Sequence, residues 1–176
     1  MTEERPTIIY TRGGDRGRTT LADGRRAAKD CAAVEACGAV DELNCHVGLL
    51  AAQVPDDIAA FLHGVQRRLF DVGASACPVA GSAARPDARD VRGLESEIDR
   101  LAPRAGTAGG FVLPGGCPAA AQAHVCRAVC RRAERRAVSA RMDAALPYLN
   151  RLSDYFYVLS LYLNKFNGVD EIKRAE

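Results

Sequence analysis

The sequence predicts an all-α fold: a five-helix antiparallel bundle forming a single domain, with an extended N-terminal arm. Three observations carry that prediction. Five segments place apolar residues at alternating steps of three and four. No run alternates apolar and polar residues for long enough to make a sheet. The chain, 176 residues with 48% hydrophobic content, fits one domain with a sizeable core. Residues 1–176 are therefore read as one unit, with residues 1–29 as the arm.

In chain order, Thr7 to Tyr10 is at most a short extended piece. The first helix, over about 31–53, carries the stripe Ala36, Val40, Leu43, Val47 and Leu50, and the second, over about 56–76, carries Ile58, Leu62, Val65, Leu69 and Val72. Both patterns suit bundle seams. A shorter third helix, near 88–102, shows Val91, Leu94, Ile98 and Leu101 and is expected to stop at Pro103. The fourth should begin at Cys117-Pro118, with proline at its first position, and bury Ala119, Ala123, Cys126, Cys130, Ala133 and Ala137. Small residues there permit close helix approach. The fifth, near 147–166, shows Leu149, Leu152, Phe156, Leu159, Leu163 and Phe166. Ala80 to Asp87 and Ala102 to Gly116, rich in Gly, Ala and Pro, read as connecting loops.

Composition narrows the function classes. A net charge of only +2 argues against general nucleic-acid binding and leaves a local basic pocket as the feature of interest. No apolar run approaches the ~20 residues a membrane span needs. The opening Met-Thr-Glu-Glu-Arg-Pro has no apolar stretch of signal-peptide type, and seven scattered cysteines are an odd number. A cytoplasmic protein with free thiols is expected. Cys126 and Cys130 share a helical face without a second ligand pair nearby, so they read as packed small residues and not as a metal site. His46, His63 and His124 lie in three different helices without metal-binding spacing and read as surface or internally satisfied side chains.

The chemistry concentrates in a few segments. Arg127, Arg131 and Glu134 fall on one helical stripe at i, i+4 and i+7 within Arg-Ala-Val-Cys-Arg-Arg-Ala-Glu-Arg-Arg. Like charges so spaced repel, so such a helix usually faces an anion or a carboxylate, although a solvated basic face accounts for the run taken alone. The arm packs three glycines, three arginines and three threonines into the ten residues Thr11, Arg12, Gly13, Gly14, Asp15, Arg16, Gly17, Arg18, Thr19 and Thr20. Glycines let backbone N–H groups converge on an anion, hydroxyls donate, and guanidinium groups neutralise charge. This suits a phosphate-binding loop, though not the Walker pattern, and a mobile polar arm is the plain alternative.

Asp41 sits beside the seam of the first helix, where an unpaired carboxylate is costly, and Arg127 is its natural partner. Asn150 and Asp154 lie one turn apart on the fifth helix, in a position for ligand contact or for a helix–helix hydrogen bond. Leu113-Pro114-Gly115-Gly116 leads into the fourth helix, whose free N–H groups could face an anion or a ligand edge, and Phe111 lies just upstream on a glycine-flanked loop, where core packing is its plain reading. No Ser-His-Asp or Cys-His arrangement is present, nor an obvious general base. That absence points to a reaction whose reactivity resides in the substrates.

Four segments together resemble the PduO-type ATP:cob(I)alamin adenosyltransferases. They are Tyr10 to Thr20, Gly-Ala-Val-Asp-Glu-Leu-Asn at 38–44, Leu-Pro-Gly-Gly at 113–116 running into the arginine helix at 126–136, and Tyr-Leu-Asn-Arg-Leu-Ser-Asp-Tyr-Phe at 148–156. The resemblance spans residues 7–166. It implies a homotrimer that binds ATP in the cleft between neighbouring subunits and transfers the 5′-deoxyadenosyl group to the cobalt of reduced cobalamin, releasing triphosphate. By position, the loop from Thr11 to Thr20 and Lys29 would hold the phosphates. Arg131, Arg132, Glu134, Arg135 and Asn150 would complete the nucleotide site, with Mg²⁺ on the triphosphate. Asp41 and Arg127 would pair across the interface. Phe111 matches the aromatic that blocks the lower corrinoid face, and Tyr157 stands where a second aromatic usually lies. Arg131, Phe111 and Asn150 are thereby the residues assigned to catalysis.

A reductase supplying cob(I)alamin, or the mutase accepting the product, is the further class of partner this implies; neither nucleic acid nor membrane is expected. The chain departs from the family pattern at Ala33 (commonly Arg), Cys37 (an aromatic), Gly13 (Thr), Tyr157 (Phe) and in a tail without an aromatic residue. Those departures are what would favour the alternative, a non-catalytic relative that binds ATP or a corrinoid.

Overall fold

A computed structural model describes residues 10–77, 85–106 and 110–173. The chain runs through a short hairpin, β1 (Arg18–Thr20) and β2 (Arg26–Ala28), then α1 (Ala32–Ala51), α2 (Asp56–Ala74), α3 (Ala88–Ala105), α4 (Pro118–Ser139), a 3-10 turn at Asp143–Ala145, and α5 (Leu146–Phe166). The five expected helices are present. α1 packs on α2 and α4, and α5 packs on α4 and α3, so the helices order in space as α2–α1–α4–α5–α3. Ion pairs from Arg68 to Asp90 and from Arg100 to Asp57 close α2 onto α3. Short connections make α1/α2 and α4/α5 antiparallel pairs.

Burial follows the sequence pattern. All five stripe residues of α1 and of α2 are buried, as are the six small residues of α4. Because that face is Ala and Cys, α4 approaches closely enough for the Cys130 thiol to donate to the Leu149 carbonyl of α5 at 3.2 Å. Phe61 of α2 and Phe156 of α5 both pack against the buried Tyr155 ring, with centroids 5.1 and 5.7 Å away. Among the described residues no helix is long and apolar enough to cross a membrane. All seven cysteines are free thiols.

Three expectations change. Pro103 does not stop α3, which runs to Ala105. A proline in the last turn forgoes only one hydrogen bond, and the strong start of this helix, where Asp87 and Asp90 form a reciprocal capping box, carries it past that point. Phe166 is 58% exposed rather than in the seam, since it is the last residue of α5, where its ring stacks on Tyr162. The arm is not simply extended: residues 18–28 form an antiparallel hairpin in register Arg18↔Ala28 to Thr20↔Arg26. Of the Thr7 to Tyr10 piece and the Ala80 to Asp87 loop, residues 7–9 and 80–84 lie outside the described residues, as do residues 107–109 of the second loop.

Candidate active site

The arm acquires its shape from a chain of local hydrogen bonds. Asp23 accepts from the Arg25 backbone N–H at 3.0 Å, the Leu21 N–H donates to the Arg25 carbonyl at 2.8 Å, and so the turn between β1 and β2 is fixed. Upstream, the loop Thr11–Gly17 is folded back on the hairpin. The Lys29 N–H donates to the Gly17 carbonyl at 2.9 Å, and the Arg26 guanidinium donates to the Gly13 carbonyl at 3.0 Å. At Gly14 the Lys29 ammonium passes so near that a Cβ there would sit 3.0 Å from Nζ. A side chain at this position would require the Lys29 ammonium to shift away from the loop backbone.

Lys29 and Thr19 then open into a cleft of about 560 Å³ between the hairpin, α1 and α4. Arg132 and Arg136 enter this cleft from α4, and both meet carboxylates of α1: Arg132 pairs with Glu42, and Arg136 with Glu35 at 3.8 Å. Glu42, Glu35 and Arg136 were not foreseen in the site. Their signal is visible only once α1 and α4 are laid side by side, because Glu35 and Glu42 share a face at i, i+7 as Arg132 and Arg136 do at i, i+4.

The other half of the arginine helix points elsewhere. Arg131 lies about 100° round the helix from Arg132, and Arg131, Arg135 and Asn150 are exposed while Glu134 is half-buried. None of these four lines the cleft. Of the residues expected at one nucleotide site, Thr19, Lys29 and Arg132 thus line the cleft, while Arg131, Glu134, Arg135 and Asn150 lie outside it.

Asp41 was expected at the core edge beside Arg127. It is exposed, and it lines a second, apolar groove of about 550 Å³ between the hairpin, α1 and α2, to which no α4 residue contributes. Asp41 sits one position round from the Val40–Leu43 seam, far enough for its carboxylate to reach water. Arg127 is half-buried, and its Nε has no hydrogen-bond partner among the described residues. His124, one turn before Arg127, is 4% exposed, and neither ring nitrogen has a hydrogen-bond partner among the described residues, so there it is neither a surface nor a satisfied histidine. Burial and, secondarily, the Arg127 charge hold it below the ordinary imidazole range. Its ring meets that of Tyr157 edge-on at 6.5 Å. Phe111, read from the residues alone as a core side chain, is instead 83% exposed on the loop before α4.

That loop is built from the chain's other end. The Leu113 N–H donates to the Ile172 carbonyl at 2.8 Å, and Val112 forms an antiparallel bridge with Lys173. Asn164 of α5, which the sequence reading passed over, lies beneath it.

Residues 9–163 match the protein family described as cobalamin adenosyltransferase. The chain belongs to that family. It is 41% identical to the cobalamin adenosyltransferase of Cupriavidus metallidurans over 172 residues, 93% of this chain and 92% of the relative. To the corrinoid adenosyltransferase of Mycobacterium tuberculosis it is 43% identical over 176 residues, 90% of this chain and 89% of that one. Among solved structures, a phenylalanine-to-alanine variant of the PduO-type ATP:corrinoid adenosyltransferase from Lactobacillus reuteri, complexed with cobalamin and ATP, superposes with a TM-score of 0.87 at 30% identity, covering 96% of this chain and 100% of the other. A cobalamin adenosyltransferase with this bundle has its helical frame set by the residues just described, and the family resemblance of the four motifs is matched by the fold.

Proposed function

We infer that this chain is an ATP:corrinoid adenosyltransferase that moves the 5′-deoxyadenosyl group of ATP onto the cobalt of cob(I)alamin. The observation that carries this reading is membership of the cobalamin adenosyltransferase family over residues 9–163, supported by structural likeness to a relative complexed with cobalamin and ATP. In the reaction the cobalt(I) electron pair attacks C5′ of the ribose; the C5′–O bond breaks and its electrons leave on triphosphate. The nucleophile is the substrate itself, so the protein has to align C5′ and to stabilise charge growing on the leaving group. Cations and backbone donors serve that need, and a general base does not.

The residues fit those tasks in two groups. Thr11 to Thr20, Lys29 and Arg132 form a cationic, glycine-bearing cradle for the triphosphate. Arg131, Glu134, Arg135 and Asn150 complete the nucleotide site from a neighbouring protomer of a homotrimer, which explains why they lie outside the cleft of their own chain. Asp41 and Arg127 pair across the same interface, giving the buried guanidinium Nε its partner. Phe111 and Tyr157 take the corrinoid side, where an apolar aromatic excludes water and the lower axial ligand, making the cobalt(II) form easier to reduce. Among the described residues no group of three His, Cys, Asp or Glu side chains could cage a metal. Mg²⁺ is expected to arrive with the nucleotide and would neutralise charge on the triphosphate beside Lys29 and Arg132. Free thiols suit a reducing cytoplasm, and a reductase that delivers cob(I)alamin is the natural partner.

The test mixes protein, Mg-ATP and chemically reduced cobalamin and follows the corrinoid spectrum. Formation of the Co–C product is expected. Binding of both substrates with no product at saturation would leave the non-catalytic reading.

A further inference from the structure

We propose that Asn164 is a positioning residue for the corrinoid-side aromatic: it ties the loop carrying Phe111 to the C-terminal segment 169–173 and so fixes where that ring stands. The proposal rests on the reading of Phe111 given above. Asn164 is 1% exposed, and its carboxamide is fully employed. Oδ1 accepts from the Cys117 N–H at 2.9 Å, at the start of α4. Nδ2 donates to the Gly115 carbonyl at 3.2 Å and to Oε1 of Glu171 at 3.0 Å. Its backbone carbonyl accepts from the Val169 N–H at 2.9 Å, which turns the chain back after α5.

One side chain therefore holds both strands of a small crossing. On one side lies Val112–Cys117, and on the other Val169–Lys173, joined further out by the Leu113–Ile172 hydrogen bond and the Val112–Lys173 bridge. Phe111 is the next residue along. Gly116 shows how tightly the loop is drawn in: its φ is +101°, and any Cβ there would overlap the Asn164 carboxamide. The chemistry of the amide is also specific. An aspartate at this position would place a carboxylate against the Glu171 carboxylate and the Gly115 carbonyl, and it has no N–H to give either.

A ring that is 83% exposed has little packing of its own to hold it. Its position must come from its backbone, and this backbone is braced by Asn164 and the tail. The brace predicts an effect on the corrinoid and not on the nucleotide.

The test compares Asn164→Asp, a chain ended after Asp170 and Phe111→Ala, each checked for wild-type circular dichroism and oligomeric mass. KM is measured for each substrate, and EPR of cob(II)alamin bound with ATP reads the nitrogen splitting that is present while the lower ligand is bound. Asn164→Asp and the shortened chain should each raise the corrinoid KM about tenfold, keep the nitrogen splitting in a larger share of the bound corrinoid, and leave the ATP KM within about twofold. If Asn164→Asp does not fold, the shortened chain decides. Wild-type corrinoid KM and splitting in both, with Phe111→Ala altered, would overturn the brace alone. An unaltered Phe111→Ala would overturn the assignment of Phe111 and the brace with it. Equal rises in both KM values would reduce Asn164 to general support of the fold and also overturn the proposal.

Discussion

Arg131 and Arg132 are neighbours in sequence, yet they meet different surroundings. Arg132 is engaged by Glu42 in the cleft, whereas Arg131 is exposed and has no ion-pair partner among the described residues. A guanidinium presented in that way is free for an incoming polyphosphate. Arg131→Ala should lower kcat/KM by about a hundredfold or more, measured by the rate of Co–C bond formation. Since exposed substitutions usually change stability by less than about 0.5 kcal/mol, its Tm should stay within about 2 °C of wild type. Activity near wild type would remove Arg131 from the site.

His124 makes a prediction of opposite kind. Its imidazole resists protonation in the fold because of burial and, next, Arg127, while in the unfolded chain it titrates ordinarily. As pH falls through the ordinary histidine range, the unfolded state therefore binds more protons, and stability decreases. The contribution is complete above about pH 7 and is lost toward pH 5. Thermal unfolding should show Tm declining across that window, and His124→Asn should flatten the decline. An unchanged pH profile in His124→Asn would show that some other group carries it. Of all the side chains, this histidine was least legible in the sequence: the helical period put it beside Arg127, but which of its neighbours would seal it off depends on α5, from which Tyr157 comes.

At the scale of elements, the helices were legible because each buries a stripe that the sequence spells out. The stripes of α1, α2 and α4 were read residue for residue. Where reading failed, a local signal was outweighed by context. Pro103 is a helix breaker in isolation but is tolerated in the last turn of a well-capped helix. The hairpin escaped notice because each strand is three residues long, too short for a period-two pattern, and its register comes from a turn and from Lys29 bonding back to Gly17. That hairpin delivers Lys29 onto Gly14, and Gly14→Val should displace the ammonium from the loop. We expect the ATP KM to rise about tenfold while the corrinoid KM holds; steady-state kinetics with each substrate varied in turn checks this. A rise in the corrinoid KM alone would detach the arm from the phosphates.

At the scale of the whole molecule, the four sequence motifs gave the family and a list of candidate site residues, but not where those residues lie relative to one another. Sequence order cannot tell whether the arm and the arginine helix meet within one chain or between two. In the fold, Arg132 lines the cleft with Lys29 and Thr19, and Arg131, Glu134, Arg135 and Asn150 do not. Asp41 opens onto a groove that α4 does not reach, and the Nε of Arg127 has no partner among the described residues. In the homotrimer we propose, these would be halves of one interface, joined head to tail around a ring of identical subunits.

The most direct measurement of that claim is subunit complementation. Lys29→Ala, deficient in the arm, and Arg131→Ala, deficient in the helix, are each expected to be inactive alone. Unfolded together and refolded at equal ratio, they should regain about a quarter of wild-type transfer activity, because in a closed ring one site in four then receives an intact arm from one chain and an intact helix from the next. Refolded mixtures of wild-type mass that stay as inactive as the separate variants would contradict the account and place the whole nucleotide site within a single chain.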